Sequence, residues 1–231
     1  MKISNRLKRV ACNVTPGYRV ADIGTDHGYV PIYLVENQLA VHVIAMDINE
    51  GPLKRANENI RNSHLESFIE TRLSNGFEKL SYGETDIAVI AGMGGELMKS
   101  LLKNGAHVVS GLEELVLSPH SEIHVVREYI RCIGHKIVNE EMLVDEGKYY
   151  TIIKTHKGQE DTYSATEYKY GKILIDRRDV VLMDYLKYKK DKFLSILDNF
   201  ETQKIENDSK SWERYRQIKV EVEEIEGILK G

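Results

Sequence analysis

Apolar residues recur along this chain in two periods. Ile3, Leu7, Val10 and Val14 step by four and three, which predicts an opening amphipathic helix that stops at Pro16-Gly17. A short apolar strand then starts at Tyr18 and runs into a glycine-punctuated turn, and residues 29–36 read as a helix. Residues 42–46 form a second strand closed by Asp47, and 51–62 a helix with Pro52 in its first turn. Strands follow at 68–73 and 85–91, where the run Ile87-Ala-Val-Ile suits burial on both faces. A fifth strand at 112–117 precedes a helix over 121–132. Residues 136–143 and 148–156, joined by Asp145-Glu-Gly147, read as a closing hairpin. Strands alternating with helices imply an α/β fold with a mostly parallel sheet, its last strand antiparallel.

The pattern changes at Lys157-Gly-Gln-Glu-Asp161, which divides the chain into 1–160 and 161–231. Beyond it only helical periodicity remains. Leu182, Leu186, Lys189, Phe193, Ile196 and Phe200 form one heptad stripe, with Lys189 its single polar intruder. Tyr215, Ile218, Val222, Ile225 and Leu229 form another. The polar stretch 201–210, with Asp208 or Ser209 as N-cap, joins them, so a small coiled-coil-like antiparallel helical hairpin is predicted.

Composition narrows the class. A length of 231 residues fits one medium domain, or one plus a small appendage. Charged residues make up 29% and no apolar run approaches a membrane span, so no membrane partner is expected. The stretch Met1-Lys-Ile-Ser-Asn-Arg6 has no apolar core for export, which points to the cytoplasm. Cys12 and Cys132 are too few for a disulfide framework or zinc site, and are expected to be reduced, half-buried helix residues. The net charge of −4 gives no global signal for nucleic acid. Its distribution does permit a polyanion, because residues 1–19 hold Lys2, Arg6, Lys8, Arg9 and Arg19 with no acid. A second basic group runs through Lys169, Lys172, Arg177, Arg178, Lys187, Lys189, Lys190 and Lys192, interleaved with acids. Taken alone it reads as a solvated helix face.

The chemistry concentrates at Asp22-Ile-Gly24-Thr-Asp26-His27-Gly28. A glycine turn between strand and helix, with an acid closing the next strand, is the layout of a nucleotide-type cofactor site. A dinucleotide fingerprint needs three glycines so that bare amides meet a pyrophosphate; here only Gly24 and Gly28 occur, flanked by Asp22 and Asp26. Like charges about 4 Å apart repel by roughly 4 kcal/mol at an effective dielectric near 20, which argues against a phosphate. S-adenosylmethionine carries an ammonium and a sulfonium and suits an acidic turn. Asp47, followed by Ile48, would accept from its ribose hydroxyls. N-capping aspartates in a plain tight turn are the competing explanation. Asn75-Gly76 follows the third strand, where an amide meets an adenine edge or simply makes a turn. Ala91-Gly92-Met93-Gly94-Gly95 ends the buried fourth strand, so backbone there approaches something closely. Leu117-Ser-Pro-His120 ends the fifth strand on the same side and forms the far wall of a substrate pocket. His120 and His124 have helical-pair spacing, but no further ligand completes a metal set, and no metal is expected.

These motifs carry a resemblance. Ala21-Asp-Ile-Gly-Thr-Asp-His-Gly-Tyr-Val-Pro31, Met46-Asp-Ile-Asn49, Asn75-Gly76 and Ala91-Gly-Met-Gly-Gly95 resemble the bacterial tRNA (adenine-22) N1-methyltransferases, the TrmK family. The resemblance extends to an N-terminal Ser-x-Arg-Leu helix and a C-terminal hairpin. It implies a Rossmann-like class I methyltransferase fold, S-adenosylmethionine as donor and tRNA as acceptor. Related enzymes often place Asp where this chain has Asn75. The cofactor set is then Asp22, Gly24, Thr25, Asp26, Gly28, Asp47, Ile48, Asn75, Gly76, Ala91, Gly92 and Met93. Asp26, His27, Met93 and Gly94 are the candidates for orienting the target base, with the hairpin as a tRNA contact. A monomer or weak homodimer is expected. Three rivals stay open: a methyltransferase acting on a small molecule, an NAD-binding oxidoreductase, and a non-catalytic adaptor.

Overall fold

The computed structural model describes residues 3–202 and 209–231. The chain divides into two compact units, Met1–Lys169 and Tyr170–Gly231. In the first, α1 spans Asn5–Cys12, capped where the Ser4 hydroxyl accepts from the Leu7 amide. Then come β1 (Tyr18–Ile23), α2 (Tyr29–Glu36), β2 (Ala40–Asp47), α3 (Glu50–Asn62) and β3 (Ile69–Leu73). They are followed by β4 (Ile87–Ala91), α4 (Gly95–Asn104), α5 (Ala106–Val109), β5 (Glu114–Ser118) and α6 (Ile123–Cys132). The hairpin β6 (His135–Asp145) and β7 (Lys148–Lys157) and the short helix α7 (Ala165–Tyr170) complete this run. Every predicted strand is present. The stretch 95–109, left without an element in the sequence reading, holds two helices.

The strands form one sheet in the order β3-β2-β1-β4-β5-β7-β6. The first five are parallel, β7 is antiparallel to β5, and β6 is antiparallel to β7. The carboxyl ends of β1 to β5 therefore share one edge, and the start of β7 and the end of β6 reach the same edge. Ile87, Ala88, Val89 and Ile90 are all buried, as a central strand covered on both faces requires. Val10 and Ala11 of α1 join Ile32 and Leu34 of α2 over Val20, Val43 and Val89. Each large aliphatic side chain buried there contributes about 1.5–3 kcal/mol.

Within this unit one charge pair is wholly enclosed. Arg127 Nε of α6 donates to Glu140 Oε1 of β6 at 2.7 Å, with the two side chains 1% and 0% exposed. Arg127 Nη1 also donates to the Tyr168 and Lys169 carbonyls at 2.9 and 3.1 Å. Packing thus holds residues through Lys169 with the sheet, whereas composition already shifts at 157–161. Both cysteines are exposed rather than half-buried, since each ends its helix on the outer face.

In the second unit, α8 (Lys172–Asp176) leads into α9 (Val180–Thr202), and α10 covers Ser209–Lys230. Contacts of Phe200 with Tyr215, Lys189 with Glu221 and Arg178 with the Ile228 carbonyl show the helices running antiparallel. Lys189 is tolerated in its apolar stripe because it pairs with Glu221 and lies over the Tyr170, Tyr185 and Phe193 rings. At the end of the second stripe Ile228 is buried and Leu229 only half-buried. The predicted N-cap Asp208 lies outside the described residues, and Ser209 is already the first helical residue.

Candidate active site

The glycine turn after β1 is built on the end of β2. The Gly24 and Thr25 amides both donate to the Met46 carbonyl at 2.8 Å. Gly24 has φ +82°, and a Cβ there would lie 2.2 Å from Met93 Cε, so the turn and the Ala91–Gly95 loop are in contact. Gly28 takes a left-handed conformation at the N-cap of α2, with no side-chain cap. Neither Asp22 nor Asp26 caps that helix, which removes N-capping as the reason for their presence.

Each predicted residue falls on the shared carboxyl edge. Asp22 is buried in β1 and lies near enough to Asp47 to feel its charge. Asp47 ends β2, where its carboxylate accepts from the Asn49 amide at 2.7 Å. Ile48 beside it is 61% exposed, an aliphatic surface at the rim. Gly76 follows β3 with φ +57°, and the exposed Asn75 amide donates to Glu78 at 2.8 Å. Asp26 is 70% exposed at its side chain, 3.4 Å from His27 Nε2 and 3.6 Å from Arg55. His27 has φ +59°, stacks on Tyr29 at 5.3 Å, and has its carbonyl held by Asn59. A strained, braced backbone of this kind is a feature of functional loops.

The glycine loop after β4 is zipped to the loop after β5. Gly92 N–H donates to the Ser118 carbonyl, His120 N–H to Met93, and Gly95 N–H to Ser121, at 2.8–3.1 Å. A Cβ on Gly95 would meet the Glu122 carbonyl oxygen at 2.3 Å, so this close approach needs glycine. The segment Leu117–His120 therefore lies directly against the glycine loop. Arg6 and Tyr150, outside the predicted set, also reach Gly92 and His120. The sequence marked Arg6 as one of several basic residues and as the arginine of the Ser-x-Arg-Leu helix, but not as part of the site. Among the described residues no cluster of three or more His, Cys, Asp and Glu is arranged to hold a metal.

Asp22 is the electrostatic centre. Burial pushes its carboxyl up to about 7; the Thr25 hydroxyl, itself buried and short of hydrogen-bonding geometry, opposes the rise, and Asp47 adds to it. Among the described residues no salt bridge reaches it. The folded state holds this proton more tightly than the unfolded chain does, so the group costs nothing below about pH 4. As pH rises from there to about 7 the charge must form in a buried site, and stability falls by up to the order of 4 kcal/mol. Asp22→Asn is expected to flatten that decline and to be the more stable protein at pH 8. Urea titrations at pH 5 and pH 8 check this; equal pH slopes in both proteins would mean that Asp22 is solvated.

An acidic glycine turn, a carboxylate ending the second strand and a glycine loop on one edge of such a sheet are the layout of a class I methyltransferase, and residues 3–153 match the family described as Methyltransferase domain. The tRNA (adenine(22)-N(1))-methyltransferase of Bacillus subtilis (strain 168) is 36% identical over 161 residues, covering 70% of this chain and 68% of that protein. With this relative the chain belongs to the TrmK family of methyltransferases. A candidate tRNA (m1A22) methyltransferase of Streptococcus pneumoniae, solved in complex with S-adenosyl-L-methionine, is 29% identical. It superposes with a TM-score of 0.87, covering 99% of this chain and 100% of that one. The M. capricolum TrmK solved with S-adenosyl-homocysteine is 25% identical with a TM-score of 0.83, covering 100% and 99%.

Proposed function

We infer that this protein is an S-adenosylmethionine-dependent methyltransferase that modifies N1 of an adenine, position 22, in tRNA. The observation that supports the cofactor is the buried Asp22 carboxylate, which no salt bridge among the described residues reaches. An enclosed carboxylate without a countercharge is costly, and the methionine ammonium supplies the missing cation. The residues fit: Asp22 and Asp26 face the cationic end, Asp47 accepts from the ribose, and Ile48 packs on the adenine with Asn75-Gly76 at its edge. Gly24, Thr25 and Gly28 shape the turn, while Ala91, Gly92 and Met93 close the other side.

When bound, the cofactor supplies an electrophilic methyl on a sulfonium. Adenine N1 attacks with its lone pair as the carbon–sulfur bond opens and the bonding electrons stay on sulfur. No proton has to leave N1 beforehand, so no general base is required. The protein's contribution is positioning, which can supply several kcal/mol. Amine methyltransferases commonly grip the base with an Asn/Asp-Pro-Pro-aromatic loop; Gly92 to Gly94 here offer backbone only, which suits ring-nitrogen chemistry. Asp26, His27 and Met93 complete the rim. N1 lies on the Watson–Crick edge, so the base enters unpaired or flipped. The proposal places the protein in the cytoplasm, without a metal, as a monomer or weak homodimer.

Calorimetric titration tests the cofactor. S-adenosylmethionine or S-adenosylhomocysteine is expected to bind and raise the melting temperature, whereas NAD is not, because two carboxylates meet its pyrophosphate. Stabilisation by NAD alone would overturn the reading. Asp47→Ala removes charge-assisted bonds worth roughly 1.5–3 kcal/mol each. Its affinity for S-adenosylmethionine is expected to fall by at least about tenfold with unchanged circular dichroism. Undiminished affinity would place the ribose elsewhere.

A further inference from the structure

One cluster at this edge has a role beyond the wall expected of His120. Arg6 from α1, His120 from the loop after β5 and Tyr150 from β7 converge in front of Gly92. The Arg6 guanidinium lies over the Tyr150 ring, its carbon 5.1 Å from the centroid, and the Tyr150 and His120 rings are 5.5 Å apart. The Arg6 amide donates to Asp145 at 3.1 Å, which anchors α1 at the end of β6. A Cβ built on Gly92 would lie 3.8 Å from His120 Cε1 and 4.0 Å from both His120 Nε2 and Arg6 Nη1. The two nitrogens thus lie around one point beside the backbone of residue 92. Arg6 Nη1 is shielded from solvent and has no hydrogen-bond partner among the described residues.

A buried guanidinium donor without an acceptor is expensive, so this edge is built for an acceptor that arrives. His120 supplies the complementary character. Partial burial and the positive charges of Arg6 and Lys148 hold its pKa below the usual imidazole value, which keeps it neutral near pH 7 with one nitrogen free to accept. A donor beside an acceptor matches the Hoogsteen edge of adenine, where N7 accepts and the exocyclic amine donates. That edge leaves N1 unobstructed. Gly92 opens the loop whose Met93 touches Gly24 of the cofactor turn, so a base held here sits next to the methyl donor's site.

We propose that Arg6 and His120 grip the Hoogsteen edge of the acceptor adenine in front of Gly92. Arg6 Nη1 donates to N7, His120 accepts from the exocyclic amine, and Tyr150 is the positioning residue that holds the guanidinium. The proposal rests on the tRNA-adenine reading above. It assigns base recognition to α1 and β7, in addition to the two acidic and glycine loops.

The test is a cycle between protein and base. Transcripts carrying adenosine or 7-deazaadenosine at the acceptor position are methylated by the wild-type protein and by Arg6→Gln, and kcat/KM is compared. Wild type is expected to lose about tenfold on the 7-deaza transcript, the scale of one charge-assisted hydrogen bond. Arg6→Gln is expected to lose about as much on adenosine, yet less than about twofold more on 7-deazaadenosine, because the shared bond is already gone. Its affinity for S-adenosylmethionine is expected to stay at the wild-type value, which a general folding defect would not allow. Equal 7-deaza penalties in both proteins, or none in wild type, overturn the proposal while the tRNA reading stands. The wild-type comparison decides this even where Arg6→Gln folds poorly. A wild-type protein that leaves the adenosine transcript unmethylated overturns both.

Discussion

Replacing Arg127 by methionine, with Glu140 left in place, is expected to destabilise the protein by about 3–5 kcal/mol, the cost of removing one member of a buried ion pair. For a chain of this size that lowers the melting temperature by roughly 6–20 °C. The pair is enclosed at 1% and 0% exposure, and the same guanidinium satisfies the Tyr168 and Lys169 carbonyls. The variant therefore takes the guanidinium away from one carboxylate and two carbonyls. Arg127→Met/Glu140→Leu is expected to recover most of the loss, because an apolar pair avoids the desolvation that the ions pay. Thermal and urea unfolding measure both. A single-variant loss under about 1 kcal/mol, the value of an exposed pair, would mean that water reaches the site.

The second large effect is on activity. A protein ending at Lys169 keeps the whole sheet, every proposed cofactor residue and the Arg127 contacts. It is expected to bind S-adenosylmethionine nearly as tightly as the full chain and to lose tRNA methylation by more than about tenfold, through lost phosphate contacts. The structure shows why charge alone is a weak guide here. Lys172, Arg177, Lys187 and Lys190 pair with Asp176, Asp179, Asp184 and Glu226 of their own unit. In the basic N-terminal stretch, Arg9 is held by Glu141 and Arg19 by Asp86. Exposed pairs of this sort are worth little and can be exchanged for phosphates, so full-length binding to tRNA should weaken steeply with salt. Undiminished methylation by the truncated protein would give the helical hairpin another role, with a protein partner or a second copy the better guess.

Local pattern was enough for the elements that positioned the site. The apolar run of 29–36 after the glycine turn placed α2 at its observed bounds, because the left-handed glycine that opens the helix is its sequence neighbour. The uninterrupted Ile87–Ile90 run marked a central strand for the same reason. The acidic glycine turn, Asp47 and the Ala91–Gly95 loop were legible too, since each sits where a strand of a parallel sheet ends. The helices over 95–109 were hidden because glycines at both ends of α4 weaken the local signal, and packing against α6 stabilises what propensity does not.

Long-range placement was decided only by the tertiary structure. The insertion of β7 between β5 and β6 brings Tyr150 to the cofactor edge, and strand order is a matter of sheet pairing that no local pattern encodes. That Gly95 is required by the Glu122 backbone, or that Arg6 points at Gly92, depends on two distant segments meeting. The sequence by itself determined which residues carry charge and which loops lack side chains. Burial then decided what those charges do: the sheet closed around Asp22 and pushed its carboxyl up to about 7.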